Sequence, residues 1–330
     1  MTAAPVTGRP GLVHELFLYT SGTEILEFVT LFAQDGVDAG EPTVLAVGSD
    51  TAATVLDSVG SSPYLTVLPA IGQPGRPASD LRGTDVLLAG YTAQTRRVRI
   101  LNQEPAVPAE HWHEWRRLEA VVNLALARHN AWAVCAYDHN TLTDGGVEDL
   151  RATHPHVWSA GQHRTNERYQ DPSRFLAAHR DAPPDPVEQS VPTVELIDPS
   201  PATARATVKG FIEHSELPVA EREGLLIATS EAVTNGIVHG QPPVVLRLWA
   251  QPHRITVTVT DSGDGPTDPF VGLLPAGDAD QQPDQPGLGL WISHQLVDVT
   301  HRRHAHGYTI RITASPPARA PGENTPSGRR

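Results

Sequence analysis

The stretch EAVTNGIVHG, residues 231–240, decides how this chain reads. It has the spacing of the last turns of a helix that begins near Val219. Glu231, Asn235 and His239 are four apart and fall along one ridge of that helix. Ala232, Val233, Ile237 and Val238 supply an apolar opposite face, and Gly240 is expected to stop the helix in a left-handed conformation. A carboxylate, an amide and an imidazole on one ridge suit a metal–nucleotide site. The same ridge also reads as a plain solvated face, and the residues that follow separate the two.

The strand pattern ITVTVT, residues 255–260, runs into Asp261, then Ser262, Gly263, Asp264 and Gly265. An aspartate ending a buried strand can present its carboxylate inward, and the two glycines let the backbone approach a planar ligand closely. Alone, the segment is equally a hairpin turn. Gly287, Leu288 and Gly289 then open a helix expected to run to about Val299. Its free N–H groups and positive dipole end would face an anion, although glycine before a helix is common.

Taken in this order, an acidic-amide helix, a strand ending in DxGxG and a GxG helix start resemble the GHKL (Bergerat) ATP-binding fold. EAVTNGIVHG, DSGDGP and GLGLWI are similar to the RsbW-type anti-sigma factor kinases, over about residues 193–314. The resemblance implies an α/β sandwich, a mixed sheet with helices on one face. It implies that Asp261 accepts a hydrogen bond from the adenine amine, with Gly263 and Gly265 against the base. Asn235 would ligate Mg²⁺, a hard cation that takes oxygen ligands. Glu231 would be the general base, and Gly287, Leu288 and Gly289 would offer N–H groups to the phosphates. His239 receives no chemical role. Dimers through this domain are also implied.

Two departures bear on activity. The segment expected to be the ATP lid, residues 266–286, holds no Lys or Arg and carries Asp268, Asp278, Asp280 and Asp284 instead. Phosphoryl transfer needs cations on the γ-phosphate beyond one Mg²⁺. Lys209, Arg205 and Arg247 are the substitutes considered. A sensor histidine kinase needs a helical hairpin with a phospho-accepting histidine before the ATP domain. Residues 181–192, DAPPDPVEQSVP, read as a proline-stiffened linker too short for it, and His179 stands in a single short helix. His301, His304 and His306 read as solvent-facing in a hairpin. The kinase reading is a serine/threonine kinase that holds a sigma factor and phosphorylates a STAS-type anti-anti-sigma protein. The alternatives are an ATP-bound switch with little catalysis and a sensor histidine kinase-like protein.

Residues 11–136 alternate strands and helices, which favours a parallel sheet with helices on its faces. Strands are expected at 14–19, 43–48, 64–68, 85–89 and 132–137, with helices at 22–34, 51–59 and 111–129. Neither GxxxxGK[ST] nor GxGxxG occurs here, so the common phosphate-cradling loops are missing. HELFLYTSGTEILEFVTLFAQDGVDAGEPTVLAV, EWRRLEAVVNLALARHNAWAVCAYD, THPHVW and NERYQDP together resemble the MEDS sensory domain, a RecA-like module without the phosphate loop, over about residues 11–172. The resemblance implies a signal-sensing role, with hydrocarbon-like small molecules proposed as ligands of some relatives. MEDS joined to such an ATP-binding domain resembles the RsbA family of anti-sigma regulatory proteins. The division expected is 11–180 for the sensory domain, 181–192 for the linker, 193–314 for the ATP-binding domain and 315–330 for a disordered tail.

Composition narrows the classes further. At 330 residues the chain can build two cores. A net charge of −13 argues against direct nucleic-acid or anionic-membrane binding. Apolar runs are too short to span a membrane, and no secretory leader is recognised at the N-terminus. The single Cys135 fits a reducing cytoplasm and reads as a buried, inert thiol. A metal among His111, His113, His154, His156 and His163 is disfavoured, because residues two apart on a helix face different ways.

Overall fold

The computed structural model describes residues 11–69, 77–92, 97–275 and 288–316. The lid beyond residue 275, Gly287 and the tail from residue 317 lie outside the described residues. The chain forms two compact units. Among described residues the first holds those up to 182 together with 266–275 and 288–291, and the second holds 183–265 and 292–316.

In the first unit the order is β1 (Val13–Tyr19), α1 (Gly22–Ala39), β2 (Thr43–Val47), α2 (Ser49–Val59), β3 (Leu65–Pro69) and α3 (Pro77–Thr92). There follow β4 (Val98–Gln103), α4 (Trp112–Ala125), β5 (Ala131–Asp138), α5 (Asp144–Thr153), β6 (His156–Ser159), β7 (Gln162–Thr165) and α6 (Pro172–Ala178). The sheet order is β3-β2-β4-β5-β1-β6-β7, parallel except for the antiparallel edge pair β6–β7. Strand β2 is buried along its whole length, as a parallel strand covered on both faces must be. Helix α1 starts on Ser21, whose hydroxyl accepts from Glu24 N, and ends on Gly40 at φ 65°. Its Ile25, Phe28, Val29 and Phe32 pack on Phe17, Leu45 and Trp132. A further cluster joins Leu118, Val121, Phe175 and Leu176 to Phe270, Leu273 and Leu274, so residues 266–275 of the expected lid pack within this unit.

Residues 85–89, expected as a strand, lie inside α3. Leu88 is fully buried while Val86 is 64% exposed, the one-sided burial of a helix. The strand is supplied instead by VRILNQ, where Arg99 interrupts the apolar pattern. That guanidinium is buried and paired with Glu41 at 2.6 Å, so a charged letter conceals an inner strand.

The second unit runs β8 (Val194–Ile197), α7 (Pro201–Ile212), α8 (Val219–His239), β9 (Val245–Gln251) and β10 (Arg254–Asp261), followed by α9 (Leu288–Leu296), β11 (Asp298–His304) and β12 (Gly307–Ala314). Helix α9 begins in the first unit and enters the second at Ile292. The sheet order is β11-β12-β10-β9-β8, and every pair is antiparallel where a mixed sheet was expected. Helix α8 packs on β10 and β12, and α7 on β9. The final helix ends three residues before the expected Val299, which pairs in β11 with Ile312.

The proline-rich stretch expected as a linker is anchored to this sheet. Asp185 caps the turn Pro186–Gln189 and pairs with Arg254 at 2.5 Å, while Glu188 accepts from Arg302 at 2.6 Å and Arg311 at 2.8 Å. Among the described residues no helix is long and apolar enough to cross a membrane.

Candidate nucleotide-binding site

Helix α8 has the limits its sequence predicts, and Ala232 and Val233 are buried as expected. Ile237 and Val238 are not; they are 51% and 63% exposed. The buried position in that turn is Gly236, where a β-carbon would stand 3.2 Å from Val244 Cγ1. The apolar face therefore narrows to its smallest residue as the helix meets the sheet. Glu231 and Asn235 are half-buried on one ridge and His239, at its end, is exposed.

Gly240 ends the helix in an extended conformation, φ −86° and ψ −167°, and not in the left-handed one. Its glycine requirement comes from close approach: a β-carbon there would lie 2.4 Å from Asp261 Cγ. Asp261, buried at the end of β10, accepts through Oδ1 from Gly263 N at 2.7 Å and Gln241 N at 3.1 Å. Gln241 O in turn accepts from Ser262 N at 2.8 Å. The segment after α8 and the turn after β10 are thereby joined around one carboxylate. Charge-assisted bonds of this kind are the strong ones, and they fix the orientation of the group. Among the described residues these bonds engage Oδ1 alone.

The two glycines of the turn also have reasons inside the protein. A β-carbon on Gly263 would stand 2.8 Å from Asp261 Oδ1. Gly265 has φ 68°, and a β-carbon on it would meet the Tyr308 ring at 2.3 Å. Tyr308 lies opposite Asp261 in the β10–β12 register. Its hydroxyl contacts His301 Nδ1 at 2.6 Å, and His301 Nε2 stands 3.0 Å from His294 Nε2. Two facing imidazole nitrogens bond only if one carries the hydrogen. His301 is thus buried, contrary to the solvent-facing expectation, because its ring stacks against those of His294 and Tyr308. His304 is half-buried and contacts Thr309 at 2.9 Å, with burial lowering its basicity; His306 is exposed.

Leu288 and Gly289 open α9 and are half-buried. Gly287 lies outside the described residues. Arg247 is paired with Glu195 at 2.7 Å, and Lys209 stands 3.9 Å from Glu213. Sequence reasoning missed Gln241, Tyr308 and the packing role of Gly240. Of these only Gly240 carries a signal in the sequence, where a glycine after a helix points to a left-handed stop.

Residues 199–314 match the family described as "Histidine kinase-like ATPase domain", and residues 13–155 match "MEthanogen/methylotroph, DcmR Sensory domain". The anti-sigma F factor of Bacillus subtilis is 29% identical over 117 residues, covering 33% of this chain and 80% of that protein. The anti-sigma F factor of Bacillus velezensis is equally similar over the same shares. The solution structure of the histidine kinase domain of the E. coli osmosensor EnvZ aligns with 42% of this chain and 99% of that one, at 17% identity and a TM-score of 0.24. The chain thus joins an N-terminal MEDS domain to a C-terminal histidine kinase-like ATPase domain.

Proposed function

We propose that this protein is an ATP-binding anti-sigma regulator that phosphorylates a serine or threonine of an anti-anti-sigma partner. The signal-sensing domain of this reading spans residues 11–180, with a small-molecule ligand, and residues 181–192 join it to an ATP-binding domain at 193–314. Its partners are a sigma factor and a STAS-type protein, it forms a homodimer through the second domain, and it works in the cytoplasm. The observation that carries the reading is the Asp261 carboxylate, buried and oriented by two backbone N–H groups through one oxygen. A fixed acceptor of this kind suits the exocyclic amine of adenine and rejects a carbonyl in its place. The similarity to anti-sigma F factors over 117 residues supports the choice of partners.

The donor set fits Mg-ATP. Asn235 on α8 offers the amide oxygen that a hard cation takes, together with waters. Glu231, one turn earlier and half-buried, removes the proton from the attacking hydroxyl. Gly263 and Gly265 let the chain lie flat against the base. Gly287, Leu288 and Gly289 present the positive end of α9 to the phosphates. ATP, when bound, supplies the γ-phosphoryl group; the protein's part is to orient it and accept a proton.

The experiment is transfer of labelled phosphate from ATP to STAS-type partners by the wild type, Glu231→Ala and Asp261→Asn. Asp261→Asn should lose ATP binding, and Glu231→Ala should bind ATP while losing transfer by at least a hundredfold. Wild-type ATP binding without transfer to any partner sinks the kinase reading. It would leave the second reading, an ATP-gated binding switch, which the absence of Lys and Arg from residues 266–286 favours.

A further inference from the structure

Within the first unit, four elements bring unlike side chains to one buried point. His14 comes from β1, Glu119 from α4, Cys135 from β5, and His154 follows the last residue of α5. Strands β1 and β5 are parallel neighbours with Leu16 opposite Cys135, so His14 and Cys135 project from the same face of the sheet. His14 Nε2 is 3.3 Å from Cys135 Sγ and 3.8 Å from Glu119 Oε2, and His154 Nε2 is 3.5 Å from the same oxygen. One donor atom from each of the four lies within 4.8 Å of all the others. Tetrahedral bonds of about 2.0–2.3 Å place donor atoms about 3.3–3.8 Å apart.

The second atoms of two of these groups are already committed. His154 Nδ1 stands 2.7 Å from the Leu150 carbonyl, which can only accept, so the ring proton is on Nδ1 and Nε2 presents a lone pair. Glu119 Oε1 accepts from the Tyr137 hydroxyl, which accepts from Trp115 Nε1 at 2.7 Å. Outer contacts of this type orient metal ligands. The inward atoms, His154 Nε2 and Glu119 Oε2, are buried and have no hydrogen-bond partner. Two bare acceptors facing each other at 3.5 Å in a dry site are costly. A proton shared across that distance satisfies neither well, while His14 Nε2 and Cys135 Sγ, 3.3 Å apart, make only the weak bond of a thiol.

The geometry points to a divalent transition-metal site, of the zinc type, ligated by His14 Nε2, Glu119 Oε2, Cys135 Sγ and His154 Nε2. One thiolate, one carboxylate and two neutral imidazoles balance a 2+ ion, so the loaded site is neutral and can be buried. Sulfur and imidazole donors exclude Mg²⁺ and Ca²⁺ and select Zn²⁺, Co²⁺ or a neighbouring ion. His14, Glu119 and Cys135 also line a small cavity of about 80 Å³, whose walls include Ile100, Leu118 and Val122. The ion would sit in the wall of that cavity. Sequence inspection disfavours a metal among His111, His113, His154, His156 and His163; it does not reveal that the fold brings His14 to His154 from 140 residues away (154 − 14).

The test uses the full chain, stripped with a chelator and titrated with Co²⁺. Cys135 is the only cysteine, so a sulfur-to-cobalt charge-transfer band in the near ultraviolet reports this site alone. We expect the band to saturate at one Co²⁺ per chain and to be displaced by Zn²⁺. It should be lost in Cys135→Ser, and Glu119→Gln should weaken Co²⁺ at least tenfold. Circular dichroism checks that each variant folds, and if Cys135→Ser does not, the wild-type band and Glu119→Gln still decide. Absence of the band at one equivalent, or Co²⁺ absorption without a sulfur component, overturns the proposal. So does a folded Glu119→Gln that binds as tightly as the wild type.

Discussion

The α-carbon of Gly240 lies so near the Asp261 side chain that a β-carbon would stand 2.4 Å from its carboxyl carbon and 2.6 Å from Oδ1. The backbone at Gly240 is extended and open to any residue, so Gly240→Ala isolates the packing effect. The alanine must displace the carboxylate or the end of α8. The expected cost is about 1–3 kcal/mol of stability, with nucleotide affinity down at least tenfold. Thermal melts beside titration with a fluorescent ATP analogue measure both, and unchanged affinity would separate this contact from the site.

Gly265 combines the two constraints that Gly240 keeps apart. Its φ of 68° disfavours a side chain, and the Tyr308 ring occupies the β-carbon position. Gly265→Ala should therefore destabilise by about 2–4 kcal/mol, strain and overpacking together. Adding Tyr308→Leu should recover only the packing share, and denaturant unfolding of the two single variants and the pair measures that coupling.

Glu188 accepts from two arginines on the final strands. With about 13% of its side chain exposed, each pair is partly shielded from solvent. Glu188→Gln should lower stability by about 1 kcal/mol or less and raise the rate of proteolysis within residues 181–192 several-fold. Limited digestion followed by mass spectrometry locates the cut.

Burial raises the Asp80 carboxyl from 3.8 to about 6. Its folded state holds a proton where the unfolded chain has released it. The corresponding stability is present below pH 3.8 and is lost as pH rises through 6. Asp80→Asn removes that loss. The variant should gain on the wild type by up to about 2 kcal/mol between pH 4 and pH 7, read from urea unfolding at several pH values. A constant difference across that range contradicts the assignment.

The long amphipathic elements and the spaced motifs were legible from residue order. Helix α8, strand β10 and the strand–helix alternation of the first unit follow from periods of 3.6 and 2. What stayed hidden has a physical cause in each instance. Strand β4 is masked by Arg99, whose charge is neutralised by Glu41 only in the fold. TDVLLAG has no periodicity that tells strand from buried helix, and it became a helix. Strand β11 carries His301, Arg302, Arg303 and His304, polar letters that look solvated until His294 and Tyr308 are seen packed on His301. Among the site residues, Asp261 and its glycines were visible because turn chemistry is local. Gln241 and Tyr308 were not, since they reach Asp261 only through tertiary contact.

Strand β12, the last among the described residues, lies directly beside β10 and seats the turn that carries Asp261. A β-carbon on Gly307 would stand 1.9 Å from the Asp261 carbonyl oxygen, so the returning hairpin lies flush against the backbone of that turn. During synthesis residues 231–265 leave the ribosome long before their partner strand exists. Until residues 307–314 emerge, β10 has an open edge and Gly265 lacks the ring that it packs on. Closure of the sheet and seating of the Asp261 turn are therefore one event, and a chain cut short near residue 300 carries the motifs at 231–240, 261–265 and 287–289 without the strand that the turn rests on.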